Sequence, residues 1–215
     1  MTNIKGAIFD VDGTMLDSMH VWENVAENYL KSQGGVPHPD LNEALSKMGG
    51  HQIPAYFREE YGVTGTEEEI HAGINALLED FYLNEASLKA GVVEVLEMYY
   101  NHGIKMCVAT ATDRSLIEPA LQRCGIAKYF GRIFTCPEER TSKSRPDIYI
   151  TAANFLGTEI GDTLVFEDAL YAVKSAKQAG FPVVGVYDTS AEDHQDKIRA
   201  LVDYYVKSFV DFMFE

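Results

Sequence analysis

The sequence predicts an α/β fold in which a doubly wound, Rossmann-like parallel sheet carries an inserted block of helices. Three observations lead there. An apolar, β-prone run occupies about residues 4–9. From about 17 to 85 the patterns are helical and no convincing strand occurs. From Gly91 onward short β-branched runs alternate with helical segments, the signature of βαβ units in a parallel sheet. The first strand must then join the later sheet. Residues 1–16 and 86–215 form one discontinuous core on this reading, and 17–85 form a lid-like helical domain.

Each element follows from its local pattern. Lys5-Gly6-Ala7-Ile8-Phe9 is the first strand. In the insert, Val21, Trp22, Val25, Ala26, Tyr29 and Leu30 recur at helical spacing before Gly34-Gly35. Leu41, Ala44, Leu45 and Met48 repeat the pattern before Gly49-Gly50. Thr66 with Glu69 has the spacing of a capping box for a helix carrying Ile70, Ile74, Leu77, Leu78 and Phe81. Beyond the insert, "KMCVAT", "RIFTC", "TLVFE" and "PVVGVY" read as strands, with helices near 113–123, 146–156 and 169–179.

Composition narrows the function. A chain of 215 residues, 46% of them hydrophobic, supports a substantial core. A formal net charge of −15 repels nucleic-acid backbones and anionic lipid, so an anionic ligand needs a local positive site. Cys107, Cys124 and Cys136 show no metal-ligand spacing, and their odd number suits a reducing compartment. No apolar run approaches the roughly 18 residues that span a bilayer, and no targeting segment is recognisable. A cytoplasmic monomer with a small-molecule ligand, rather than nucleic acid or membrane, is the expectation.

In open parallel sheets ligands bind beyond the carboxyl ends of the strands. The first strand runs into "DVDGTMLDS", residues 10–18, placing Asp10 and Asp12 at its end. "CVAT" ends at Thr110 and "TLVFED" at Glu167 and Asp168. Four carboxylates converging on one edge would repel one another unless a cation neutralises them, and an all-oxygen set suits Mg²⁺. Thr110 and the backbone N–H groups after it, leading to a helix capped by Asp113, form an anion cradle. Lys143, just before the helix opened by Pro146-Asp147, is poorly placed for the helix dipole unless an anion binds beside it. Singly, each feature has a bland reading: a turn for "DVDGT", an ordinary strand residue for Thr110, a solvated lysine for Lys143, a helix cap for Glu167-Asp168. As an ordered set at strand ends they describe a phosphoryl-transfer site.

At these residues the sequence resembles the haloacid dehalogenase (HAD) superfamily, in its β-phosphoglucomutase-like branch with a helical cap. "DVDGT" matches the first motif, "VAT" with Thr110 the second, "KSRPD" with Lys143 the third and "VFEDA" the fourth. "LDS" at 16–18 and "AKQAGFPVVGV" at 176–186 also look like that branch. The resemblance implies a HAD core with an inserted cap, with Asp10 as nucleophile forming an aspartyl-phosphate and Asp12 as general acid and base. It implies Mg²⁺ held by the Asp10 carboxylate, the Asp12 carbonyl, Asp168 and Glu167. Thr110, Lys143 and the amides near Ala111 would bind phosphoryl oxygens, while Gly13 and Thr14 keep the backbone close. Ser144 stands where the branch usually has proline, and Arg145 adds a cation. Asp12 argues against dehalogenation, because the dehalogenases resembled here lack that second aspartate.

The insert decides between hydrolysis and transfer. A bisphosphate mutase needs basic cap side chains, yet residues 16–85 hold thirteen Asp or Glu against Lys31, Lys47 and Arg58. Trp22 stands where the mutases place a histidine, and neither Lys31 nor Lys47 matches a phosphonatase lysine. The expected activity is hydrolysis of a small phosphomonoester, a sugar phosphate or nucleotide-like compound. A sugar-phosphate mutase is the alternative, and a non-catalytic phospho-ligand-binding regulator the second. His20, Trp22 and His51 are the cap candidates for substrate contact, with Met19, Met48 and Tyr56 beside them, although such residues at helical spacing are more often core. His38 and His71 read as surface residues. Cap motion would hinge near 16–18 and 85–90.

Overall fold

Alternation along the strands builds a two-faced sheet. Strands β1 (Gly6–Phe9), β2 (Lys105–Thr110), β3 (Ile133–Thr135), β4 (Thr163–Glu167), β5 (Val183–Val186) and β6 (Tyr204–Val206) pair in the order β3-β2-β1-β4-β5-β6, all parallel. This computed structural model describes residues 4–46, 48 and 52–212, so His51, Lys47, Gly49 and Gly50 lie outside the described residues. β1 is central, with Ala7 opposite both Met106 and Leu164. Winding proceeds outward from it in both directions, which creates the switch point where ligands bind in such sheets.

Ala7, Phe9, Met106, Val108, Leu164 and Phe166 face one side, and Ile8, Cys107, Ala109 and Val165 face the other. On the first side the sheet packs against α5 (Val92–Asn101), α6 (Arg114–Arg123) and α11 (Phe209–Phe212). Phe9 stacks on Phe166 with ring centroids 4.3 Å apart, and Phe166 meets Phe212 edge-on. The other side is covered by α8 (Asp147–Leu156), α9 (Leu170–Gln178) and α10 (Gln195–Leu201). Both faces being covered explains why the strands read as continuous apolar runs.

Between β1 and α5 lie α1 (Met19–Ser32), α2 (Leu41–Ser46), α3 (Ile53–Tyr61) and α4 (Glu67–Asp80), which continues into a π-helical turn at Phe81–Glu85. These helices gather their own core from Ala26, Tyr29, Leu30, Leu41, Phe57 and Ile70. The Thr66 capping box forms: its hydroxyl accepts from the Glu69 N–H at 3.1 Å, and the Glu69 carboxylate accepts from the Thr66 N–H at 2.8 Å. The chain enters and leaves this region at one place. Leu16 and Leu88 pair as an antiparallel bridge, with Asp17 N–H bonded to the Ser87 carbonyl and Lys89 N–H to that of Met15.

The sequence pattern did not mark α3, α5 or β6. The strand in "RIFTC" also ends one residue early, because Cys136 opens the short helix α7 (Cys136–Glu139), whose N-cap hydroxyl comes from Thr135.

Candidate active site

The carboxyl ends of β1, β2 and β4 open into a cleft of about 690 Å³. Its lining includes Asp10, Asp12, Thr110, Ala111, Lys143, Glu167 and Asp168 from the sheet side, and Met19, Trp22, Ile53, Pro54, His71, Ile74 and Asn75 from the helices opposite. Among the described residues, no Lys or Arg from 17–85 lines it.

At its floor, Asp10, Glu167 and Asp168 are all buried, with one carboxylate oxygen from each within 4.8 Å of the others. Lys143, itself buried, donates to Asp10 Oδ1 and, at 2.6 Å, to Glu167 Oε1. Burial works against the lysine's charge, but the Asp10 and Glu167 carboxylates outweigh it and hold the ammonium protonated. Burial pushes the Glu167 carboxyl up, and Lys143 only partly opposes this. Tyr149 also donates to Glu167 Oε1 at 2.6 Å. Asp168 is the least compensated: burial and the neighbouring Asp10 and Glu167 charges raise it well above the usual carboxylate range. Three buried carboxyl groups share one ammonium, so ionising all three calls for a further cation. All-oxygen donors of this kind fit a hard divalent cation such as Mg²⁺.

The backbone is shaped to this cluster. Gly13 adopts φ +77°, and a Cβ there would collide with Asp168 Oδ2. Thr14 is fully buried, its hydroxyl 3.4 Å from Asp168 Oδ1. On the β2 side, buried Thr110 accepts from the Thr112 N–H at 3.1 Å, and Ala111 is exposed at the cleft wall.

Asp12, two residues from Asp10, has a different environment. Its Oδ1 accepts from Ser18 Oγ at 2.6 Å and Tyr82 OH at 2.5 Å, and its Oδ2 from Thr112 Oγ1 at 2.7 Å. Burial raises its pKa, hydrogen bonds from Ser18 and Tyr82 oppose the shift, and the Asp10 charge adds to it.

Of the helical candidates, Trp22 lines the cleft and donates its indole N–H to Tyr82 OH at 3.0 Å, and Met19 lies alongside. His20 is exposed and packs edge-on against Phe81, outside the lining set. Tyr56 sits among Phe57 and Tyr61. Arg145 pairs at the surface with Asp147 at 2.9 Å. His71 is a correction to the sequence reading: it is half-buried, lines the cleft and meets Asp113 Oδ2 at 2.6 Å. Asp113 does stand at the N-cap of α6 but makes no side-chain cap bond, its carboxylate being held by His71 and Asn75.

Pattern alone also missed Ser18, Tyr82, Thr112 and Lys89. Lys89 donates to the Gly13 carbonyl, to that of Tyr187 at 2.9 Å and to Asp188 Oδ2 at 2.7 Å. Ser18 had a signal in its closeness to Asp12. The others are brought in only by tertiary structure.

Comparison with known proteins is consistent with this geometry. The model of the haloacid dehalogenase-like hydrolases matches residues 7–186. Protein CbbY of Rhodobacter capsulatus is 29% identical over 192 residues, 84% of this chain and 84% of its own. The phosphorylated carbohydrates phosphatase of Thermotoga maritima is 25% identical over 177 residues, 82% of each. Among solved structures, CbbY from Rhodobacter sphaeroides in complex with phosphate has a TM-score of 0.84 at 21% identity, covering 97% of this chain and 96% of that one. With its parallel sheet, its acidic strand ends and a family match over most of its length, the chain belongs to the haloacid dehalogenase-like hydrolases.

Proposed function

We propose that the protein is a Mg²⁺-dependent phosphatase acting on a small phosphomonoester, a sugar phosphate or nucleotide-like compound, through an aspartyl-phosphate on Asp10. One observation carries the reading: a buried Asp10 carboxylate, clustered with Glu167 and Asp168 around a single lysine, faces an open cleft. Relatives named as phosphatases of phosphorylated carbohydrates support the substrate class.

Asp10 attacks phosphorus, the ester P–O bond breaks, and Asp12 gives its proton to the departing oxygen. Asp12 then takes a proton from the water that attacks phosphorus, releasing phosphate and restoring Asp10. Lys143, Thr110 and the amides near Ala111 hold phosphoryl oxygens. Asp10, Glu167, Asp168 and the Asp12 carbonyl would hold Mg²⁺, which supplies charge neutralisation at the phosphoryl group. Residues 17–85 act as a cap over a core of 1–16 and 86–215, moving at 16–18 and 85–90 and excluding water when seated. Hydrolysis is favoured over mutase transfer because the described cap residues bring no Lys or Arg to the cleft for a second phosphate.

The test is phosphate release from a panel of phosphomonoesters with Mg²⁺ and with chelator. Metal-dependent release that vanishes in Asp10→Asn, with the fold retained, is expected. Isomerisation of a sugar phosphate without release would make it a mutase.

A further inference from the structure

The general acid of the proposed reaction is held by a one-way chain of donors from the helical block. An indole N–H can only donate, so the Tyr82 oxygen receives the Trp22 hydrogen and turns its own hydrogen to Asp12 Oδ1. Ser18 donates to the same oxygen. With two donors on Oδ1, the proton that Asp12 carries in its acid form belongs on Oδ2, where the Thr112 hydroxyl can rotate to meet it. Trp22 comes from α1, and Tyr82 from the π-helical turn after α4, a widened turn of a type common at functional sites. Tyr82 is fully buried, whereas Thr112 belongs to the sheet side.

We propose that Tyr82, backed by Trp22, is a positioning residue that fixes which Asp12 oxygen donates the proton to the leaving group, tying that transfer to the seating of the helical block. The proposal rests on the phosphatase reading. A tyrosine that merely fills the core would support every substrate equally. A tyrosine that positions the acid matters most where the leaving group needs a proton.

The experiment compares 4-nitrophenyl phosphate, whose leaving group departs readily as an anion, with phenyl phosphate, which is similar in shape and needs protonation more. Both are measured with Mg²⁺ for wild type, Tyr82→Phe, Trp22→Phe and Asp12→Asn, with thermal unfolding as the fold control. Tyr82→Phe is expected to lose about tenfold more kcat/KM on phenyl phosphate than on the nitrophenyl ester, Trp22→Phe to follow with a smaller gap, and Asp12→Asn to show the largest. Equal losses on both esters in Tyr82→Phe, with Asp12→Asn still discriminating, would overturn the proposal and leave the phosphatase reading standing. No discrimination in Asp12→Asn would remove the proton-donor assignment and the proposal with it. If Tyr82→Phe does not fold, Trp22→Phe, which loses only the half-buried indole donor, decides by the same comparison.

Discussion

The two walls of the cleft are built on opposite principles. The sheet wall concentrates charge: Asp10, Glu167, Asp168 and Lys143 are all buried, so the cost of burial is set against their mutual attraction and repulsion. The helical wall brings Met19, Trp22, Ile53, Pro54 and Ile74, with polar contacts made chiefly by neutral donors. Rigid strand ends can hold mutually repelling groups at fixed spacing. Helices with a core of their own, joined to the core of the sheet through Val25, Leu78 and Tyr82, suit shape and neutral hydrogen bonds.

Charge removal should therefore hurt the sheet wall most. Lys143→Met leaves two buried carboxylates without their cation, and a loss of about 3 kcal/mol in urea unfolding is expected in Mg²⁺-free buffer. Added Mg²⁺ should restore part of it, whereas a stability unchanged in chelator would mean that the lysine is not the counter-charge. Backbone freedom comes next. Gly13→Ala must hold a side chain at φ +77° against Asp168, and about 2 kcal/mol of destabilisation with weakened Mg²⁺ binding by calorimetry is expected.

On the helical side the effects are smaller. Thr66→Ala removes the α4 capping box and should cost about 1 kcal/mol while leaving turnover nearly unchanged. The smallest effect lies where the walls meet. The Asp113 hydrogen bond raises the His71 pKa, and the His71 hydrogen bond lowers that of Asp113. The His71 contribution is complete below its unfolded value of about 6.5 and fades as pH rises through its raised folded value. The Asp113 contribution is complete above about 3.9 and fades as pH falls through its lowered one. The contact is therefore strongest at mildly acidic pH. Being partly exposed and screened, it is worth less than about 1 kcal/mol. NMR titration of His71 checks this, and an Asp113→Asn variant that leaves the His71 titration unmoved would show that the pair does not form in solution.

This contrast also explains what could be read from the sequence. Charge at a strand end is legible because a β-branched run stops where an aspartate or glutamate begins, as at Phe9-Asp10 and Phe166-Glu167. The fold class followed from the same alternation. Tyr82 was hidden because a tyrosine at the end of an apolar helical stripe looks like core, and its partner is 70 residues away. His71 looked like surface because its partner Asp113 lies on another element. β6 has three residues, two of them only partly buried, too short for alternation to register.

The paired crossing at Leu16 and Leu88 makes a single doorway for the chain between them. Topologically, everything beyond that doorway is one long loop on β1. Its length and content can change without disturbing strand order, because neither crossing strand has to move when the excursion grows or shrinks. A library of foreign excursions grafted between Leu16 and Leu88 would thus be a natural route to new substrate ranges on an unaltered sheet.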